Sequence, residues 1–221
     1  MCGSRCRLAA LGTRGPPGAP DQPRPQQGRE PAGRGSRLLP RADDRPGLAR
    51  RLIQLTTGAT SEQDAVDTEI LEGATAASGA VVMGRRLFDT VDGPDGWSEE
   101  MGYGAQQAGT PPFFVVTHSP PQRVRLERDL GLRFTFVTDL EAAIDQARAA
   151  ATDGDVVIMG GGDVIGQALE QGIVDEFRVH LAPLLLGGGT PLFRPGTRQQ
   201  YRQVDVQPSS NAVHITYARK T

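Results

Sequence analysis

An apolar run that ends in three glycines and then opens into helix-forming text carries the strongest chemical signal in this sequence. It reads Val156-Val157-Ile158-Met159-Gly160-Gly161-Gly162-Asp163-Val164-Ile165. Such a pattern delivers a buried strand to a glycine turn and starts a helix at once. Glycine lets the backbone approach a ligand with no Cβ in the way. The first turn of a helix offers unpaired N–H groups and the positive end of its dipole. Gly160, Gly161 and Gly162, with the amides of Asp163 and Val164, are therefore candidate phosphate binders at the carboxyl edge of an α/β sheet. The spacing is neither G-x-G-x-x-G nor a P-loop, because no Gly-Lys-Ser/Thr follows. A tight strand-to-helix turn that binds nothing is the plainer alternative.

Two further segments have the same grammar. In Val81-Val82-Met83-Gly84-Arg85-Arg86-Leu87-Phe88 a strand passes through glycine into a helix start bearing two guanidiniums, whose forks suit phosphate oxygens. The bland alternative is a solvated arginine pair. In Val115-Val116-Thr117-His118-Ser119 small polar groups and an imidazole end a buried strand, in a place to meet a ribose phosphate or a base. His180 lies within an apolar strand and reads equally well as a hydrogen-bonded core residue. The three histidines fall on separate elements without metal-ligand spacing, so no metal is expected. No G-x-S-x-G elbow occurs, and no residue declares itself a catalytic acid.

The elements that must position these groups follow from periodicity. Ser61 caps a helix that runs to about Gly79, with Asp64 completing an imperfect capping box. Strands are expected over Ala80–Met83, Phe113–Thr117, Arg133–Thr138, Asp155–Met159 and Glu176–Leu181. Helices are expected from Arg85, from Asp139 to Ala151 and from Asp163 to Gln171. The glycine- and proline-rich text from Val91 to Pro112 is a long loop of the kind that is often functional. Tyr201–Gln207 and Ala212–Arg219 alternate in polarity about a Pro208-Ser209-Ser210-Asn211 turn and make a hairpin. Strands alternating with helices predict an α/β fold with a mostly parallel sheet covered on both faces, and the hairpin adds an antiparallel edge.

Composition divides the chain. Residues 1–50 hold ten Arg, eight Pro and eight Gly against four acids, a charge of +6, and the remainder carries −8. With no clear hydrophobic period, residues 1–57 read as a disordered or mis-translated arm, and 58–221 as the folded domain. Clustered arginines could tether nucleic acid, but the arm lacks interleaved aromatics and the body is acidic, so no nucleic-acid partner is expected. Both cysteines, Cys2 and Cys6, lie in the arm. A cysteine-free body with no apolar run near the ~20 residues of a bilayer span points to a reducing, cytoplasmic setting without a membrane partner. One Lys beside 23 Arg suggests a GC-rich bacterial source.

Taken in order, Val82-Met83-Gly84-Arg85-Arg86-Leu87-Phe88, Val115-Val116-Thr117-His118, Val157-Ile158-Met159-Gly160-Gly161-Gly162 and Val174-Asp175-Glu176-Phe177 leading to Leu184-Leu185-Leu186-Gly187-Gly188-Gly189-Thr190-Pro191-Leu192-Phe193 resemble the dihydrofolate-reductase-like superfamily. Within it the chain is similar to the reductase domain of the bacterial riboflavin-biosynthesis deaminase-reductase, as a stand-alone member. The resemblance covers about 58–221 and implies a three-layer fold, NADPH as cofactor, and a pteridine- or pyrimidine-like small-molecule substrate. By position it places Gly84, Arg85 and Arg86 at the dinucleotide phosphates and Thr117 and His118 at the adenosine end. It places Gly160–Gly162, Asp163 and Val164 at the pyrophosphate. It also implies a homodimer, with Leu184–Phe193 as the candidate interface. A non-catalytic dinucleotide binder or a truncated, inactive member is the alternative. The family's opening strand, central in the sheet, has no evident equivalent in residues 1–57. A shifted reading frame would account for such text, and a segment such as Arg7–Gly12 supplying the strand is the other explanation.

Overall fold

The computed structural model describes residues 6–11, 65–105, 108–160, 162–184, 192–193 and 198–220. Strands β1 (Cys6–Leu11), β2 (Ser78–Gly84), β3 (Phe113–Val116), β4 (Phe134–Val137), β5 (Asp155–Met159), β6 (Glu176–Leu181), β7 (Tyr201–Pro208) and β8 (Val213–Arg219) form one sheet in the order β4-β3-β2-β5-β1-β6-β8-β7. The first six in that order are parallel, and β8 and β7 close the sheet antiparallel. Helices α1 (Ala65–Ala76), α2 (Arg85–Val91), α3 (Arg125–Leu130), α4 (Leu140–Ala150) and α5 (Gly162–Glu170) cover it.

The expectation of a missing first central strand is corrected. β1 lies between β5 and β6, with Leu8 opposite both Ile158 and Phe177. Six residues of unremarkable composition become a strand because both neighbours present ladders of N–H and C=O groups that must be paired. That demand comes from residues more than a hundred positions away. Helix α3 was also not foreseen; it is short and closes on Gly131 in the left-handed region (φ 64°).

Elsewhere the periodicities hold. β2 and β5 are buried along most of their length, which is why they read as unbroken apolar text. Asp139 caps α4 by accepting from the Ala142 N–H at 2.8 Å, and α4 buries Leu140, Ala143, Ile144 and Ala147. The expected cap at Ser61 and Asp64 lies outside the described residues.

The sheet has two unlike faces. On one, Ala80, Val82, Val156 and Ile158 pack under α4 and α5 into a continuous apolar core. On the other, Phe88, Trp97, Tyr103, Phe113, Phe134 and Phe136 form an aromatic cluster over β2, β3 and β4. Beyond that cluster, α1 and part of the long loop stand off the second face and leave a space over β5, β1 and β6.

Candidate active site

The three segments singled out by sequence leave the sheet side by side. β3, β2 and β5 are adjacent, with Gly84 opposite Val116 and Met83 opposite Met159. The turns that follow, at Thr117-His118, Gly84-Arg85-Arg86 and the triple glycine, therefore occupy one carboxyl edge.

Two of these turns interlock. A Cβ on Gly84 would lie 2.8 Å from Val164 Cγ2, and one on Gly160 would lie 2.9 Å from Leu87 Cδ2. Each glycine thus admits a side chain from the helix that follows the other glycine. Gly160 also sits at φ +127°, where a side chain is strained in any case. Packing of one turn on the other accounts for these two glycines, whereas the reason read from sequence was ligand approach.

The polar groups at this edge differ in how committed they are. Arg85 donates from Nε to Asp89 Oδ1 at 2.6 Å and also to the Ser119 carbonyl, so it ties α2 to the turn after β3. Arg86 is exposed, and its guanidinium has no partner among the described residues. Thr117 is buried, and its hydroxyl accepts from the Ser119 N–H at 3.1 Å. His118 is exposed. Gly84 caps α2 with no side-chain hydrogen bond. Gly162 opens the nine-residue α5, whose exposed Asp163 makes an interaction of its own. Gly161 lies outside the described residues, as do 185–191 of the candidate interface. The free guanidinium of Arg86 and the start of α5 along one edge form a donor set that fits the phosphates of a dinucleotide.

Sequence reasoning missed the cavity beside this edge. About 730 Å³ of space lies on the open face between α1, the 97–108 part of the long loop, and the middle of the sheet. That is the size of a small-molecule site. Met159 lines it, and Gly160 is the next residue, so cavity and glycine edge adjoin. The loop contributes Trp97, Met101 and Tyr103; β6 contributes Glu176, Arg178 and His180. Arg125 holds the loop's base by donating to the Asp92, Val91 and Trp97 carbonyls at 2.8, 3.1 and 2.8 Å. Tyr103 OH lies 2.8 Å from Ser78 Oγ, and burial pushes its phenol above the ordinary value despite that contact.

At one wall of the cavity a half-buried histidine joins two buried side chains in a hydrogen-bonded chain. His180 Nδ1 is 2.6 Å from His214 Nδ1, and His214 Nε2 is 2.7 Å from Asp67 Oδ1. Asn211 Nδ2 donates to Asp67 Oδ2 at 2.8 Å. Burial opposes ionisation of Asp67, but hydrogen bonds from Ser209, Asn211 and His214, with the charge of His214, outweigh it and hold the carboxyl below its usual range. His180 is pushed down to about 4, first by burial and then by the positive charges of His214 and Arg178, against the opposing pull of Asp67. The reading of His180 as a hydrogen-bonded core residue holds for its contacts, although its ring also lines the cavity. A polar residue at an inward position of a strand, here on both β6 and β8, was the available signal.

The model of the RibD C-terminal domain family matches residues 54–215. A riboflavin biosynthesis protein from Shewanella sp. PV-4 is 21% identical, with 67% of this chain and 78% of that one covered and a TM-score of 0.50. Acinetobacter baumannii RibD is 15% identical over 100% of this chain and 59% of its own, TM-score 0.57. The Thermotoga maritima diaminohydroxyphosphoribosylaminopyrimidine deaminase/5-amino-6-(5-phosphoribosylamino)uracil reductase is 12% identical over 73% of this chain and 51% of its own, TM-score 0.50. The chain thus spans little more than half the length of the last two. No curated protein matches the sequence. Among the described residues no helix is long and apolar enough to cross a membrane.

Proposed function

The chain belongs to the family of RibD C-terminal domains, and from that premise we propose that it is an NADPH-dependent reductase of a small pteridine- or pyrimidine-like substrate. The reaction named for the Thermotoga maritima relative, reduction of 5-amino-6-(5-phosphoribosylamino)uracil, is the model for it. One observation carries the reading: the strand edge with its anion-binding groups runs directly into the cavity at Met159-Gly160. Arg86, the start of α5 and the Thr117-His118 turn would hold the phosphates and adenosine, with Arg85 fixing the spacing between α2 and the turn after β3. When bound there, the nicotinamide would supply a hydride. Trp97, Met101 and Tyr103 line the cavity on its loop side, and Arg178 offers a positive charge to an anionic substrate group. The alternative of an inactive, truncated member rested on an absent central strand, and β1 occupies that place. A cysteine-free body suits work in the cytoplasm, and exposed Leu184 and Phe193 support a contact with a second copy.

Fluorescence titration with NADPH tests the reading. Saturable binding, weakened in Arg86→Ala, is expected, followed by oxidation of NADPH on adding the aminouracil ribose phosphate. Absence of any saturable signal would overturn it.

A further inference from the structure

We propose that Asp67, His214 and His180 form a proton relay that opens on the cavity and delivers the proton that must accompany hydride transfer. This rests on the reductase reading above. His180 is the candidate catalytic donor; His214 and Asp67 are positioning residues that act through it.

The geometry dictates who donates. A ring nitrogen facing a ring nitrogen at 2.6 Å requires one of the pair to carry the hydrogen. His214 Nε2 faces a carboxylate at 2.7 Å and must be the donor there. Two states follow. With His214 protonated on both nitrogens, its charge sits against Asp67, Nδ1–H donates to His180, and His180 carries its own hydrogen on Nε2. With His214 neutral, its Nδ1 accepts, and His180 holds its hydrogen on Nδ1 instead. His180 Nε2 has no partner among the described residues, and His180 lines the cavity. The relay therefore ends where a substrate would be.

The step balances. Hydride adds to the carbon of a C=O or C=N group, and the π pair moves to the heteroatom. That atom takes the proton from His180 Nε2 as His180 Nδ1 takes the one from His214 Nδ1. His214 is left neutral and still donating to Asp67. A solvent proton entering through His180 after product release restores the first state. The chain suits this use because its ends differ. Asp67 stays ionised under three hydrogen bonds and can hold a charged neighbour, whereas His180 is kept neutral and can conduct without storing charge. The charged groups that line the same cavity are Arg178 and Glu176 on β6, Asp155 on β5, Glu69 and Glu72 on α1 and Glu100 of the loop. Arg178 is itself tied to Thr216 Oγ1 at 3.1 Å.

The experiment has two arms on the full chain. In the first, histidine ¹⁵N NMR without any ligand should show scalar coupling between the two Nδ1 atoms. Asp67→Asn should favour neutral His214, with one proton released to solvent and the shared hydrogen on His180 Nδ1, and shift the His180 Nε2 resonance to that of an unprotonated nitrogen. No coupling in the wild type, or a His180 tautomer unchanged in Asp67→Asn, would overturn the relay. In the second, single-turnover reduction of the aminouracil ribose phosphate is followed at saturating NADPH. His180→Gln and Asp67→Asn should slow it on the order of 100-fold and flatten its pH profile, with NADPH affinity unchanged. Variants that bind NADPH and keep the wild-type rate and pH profile would overturn the relay. Loss of NADPH binding in the wild type would sink the reductase reading, while the NMR arm would still decide the relay. The wild-type coupling needs no variant, so a misfolded substitution leaves the test intact.

Discussion

The two faces of the sheet solve different problems with the same strands. Under α4 and α5 the side chains of β2 and β5 are sealed into a dry core in which Ala143 and Ile165 expose nothing. On the opposite face the aromatic cluster stops short, and α1 with the long loop roofs a cavity over β5, β1 and β6. One face supplies burial and the other forgoes part of it to keep a lined space. Stability and ligand chemistry should therefore separate by face when residues are changed.

The largest expected effect is on the sealed face. Ile165→Ala should cost about 2–5 kcal/mol, read from the urea midpoint, because its fully buried site cannot collapse. Met159→Ala on the open face should cost less, since the cavity already leaves that side chain partly uncovered, and should weaken substrate binding instead. Equal costs would erase the distinction.

The open face should also carry the acid sensitivity. Unfolded His180 takes up a proton below its ordinary value of 6.5, whereas in the fold it does so only near 4. Between those values the unfolded chain binds more protons, so stability falls as pH falls through that window, by up to about 3 kcal/mol. Asp67 acts below it: its lowered value stabilises the fold above 3.8, and that contribution is lost as pH drops further. Denaturant titrations at stepped pH should show both phases in the wild type, and His180→Gln should lack the first.

At the strand edge, Arg86→Ala should weaken NADPH binding about tenfold, ~1.4 kcal/mol, with an unchanged urea midpoint, because Arg86 is exposed and its guanidinium makes no hydrogen bond or ion pair among the described residues. The smallest effect should come from the roof. Tyr103→Phe removes the hydrogen bond to Ser78 and should cost about 1 kcal/mol, checked by thermal unfolding.

How much of this was legible depends on the range of the forces involved. Strand ends with Gly84 and Gly160, the cap at Asp139, the apolar runs of β2 and β5 and the alternating hairpin all follow from interactions among near neighbours in the chain, and the amino-acid order alone sufficed for them. It also sufficed to put three candidate ligand-binding turns on one kind of edge. Tertiary structure decided the rest. Cys6–Leu11 is a strand because β5 and β6 leave a slot whose hydrogen bonds need filling. Gly84 and Gly160 are required by side chains from each other's helices. Asp67, His180 and His214 stand on three elements, separated by 147 positions at the widest, and meet only because antiparallel β6 and β8 pair His180 with His214 beneath α1. No local pattern encodes a contact of that span, since it exists only when the burial of the whole sheet holds the three elements together.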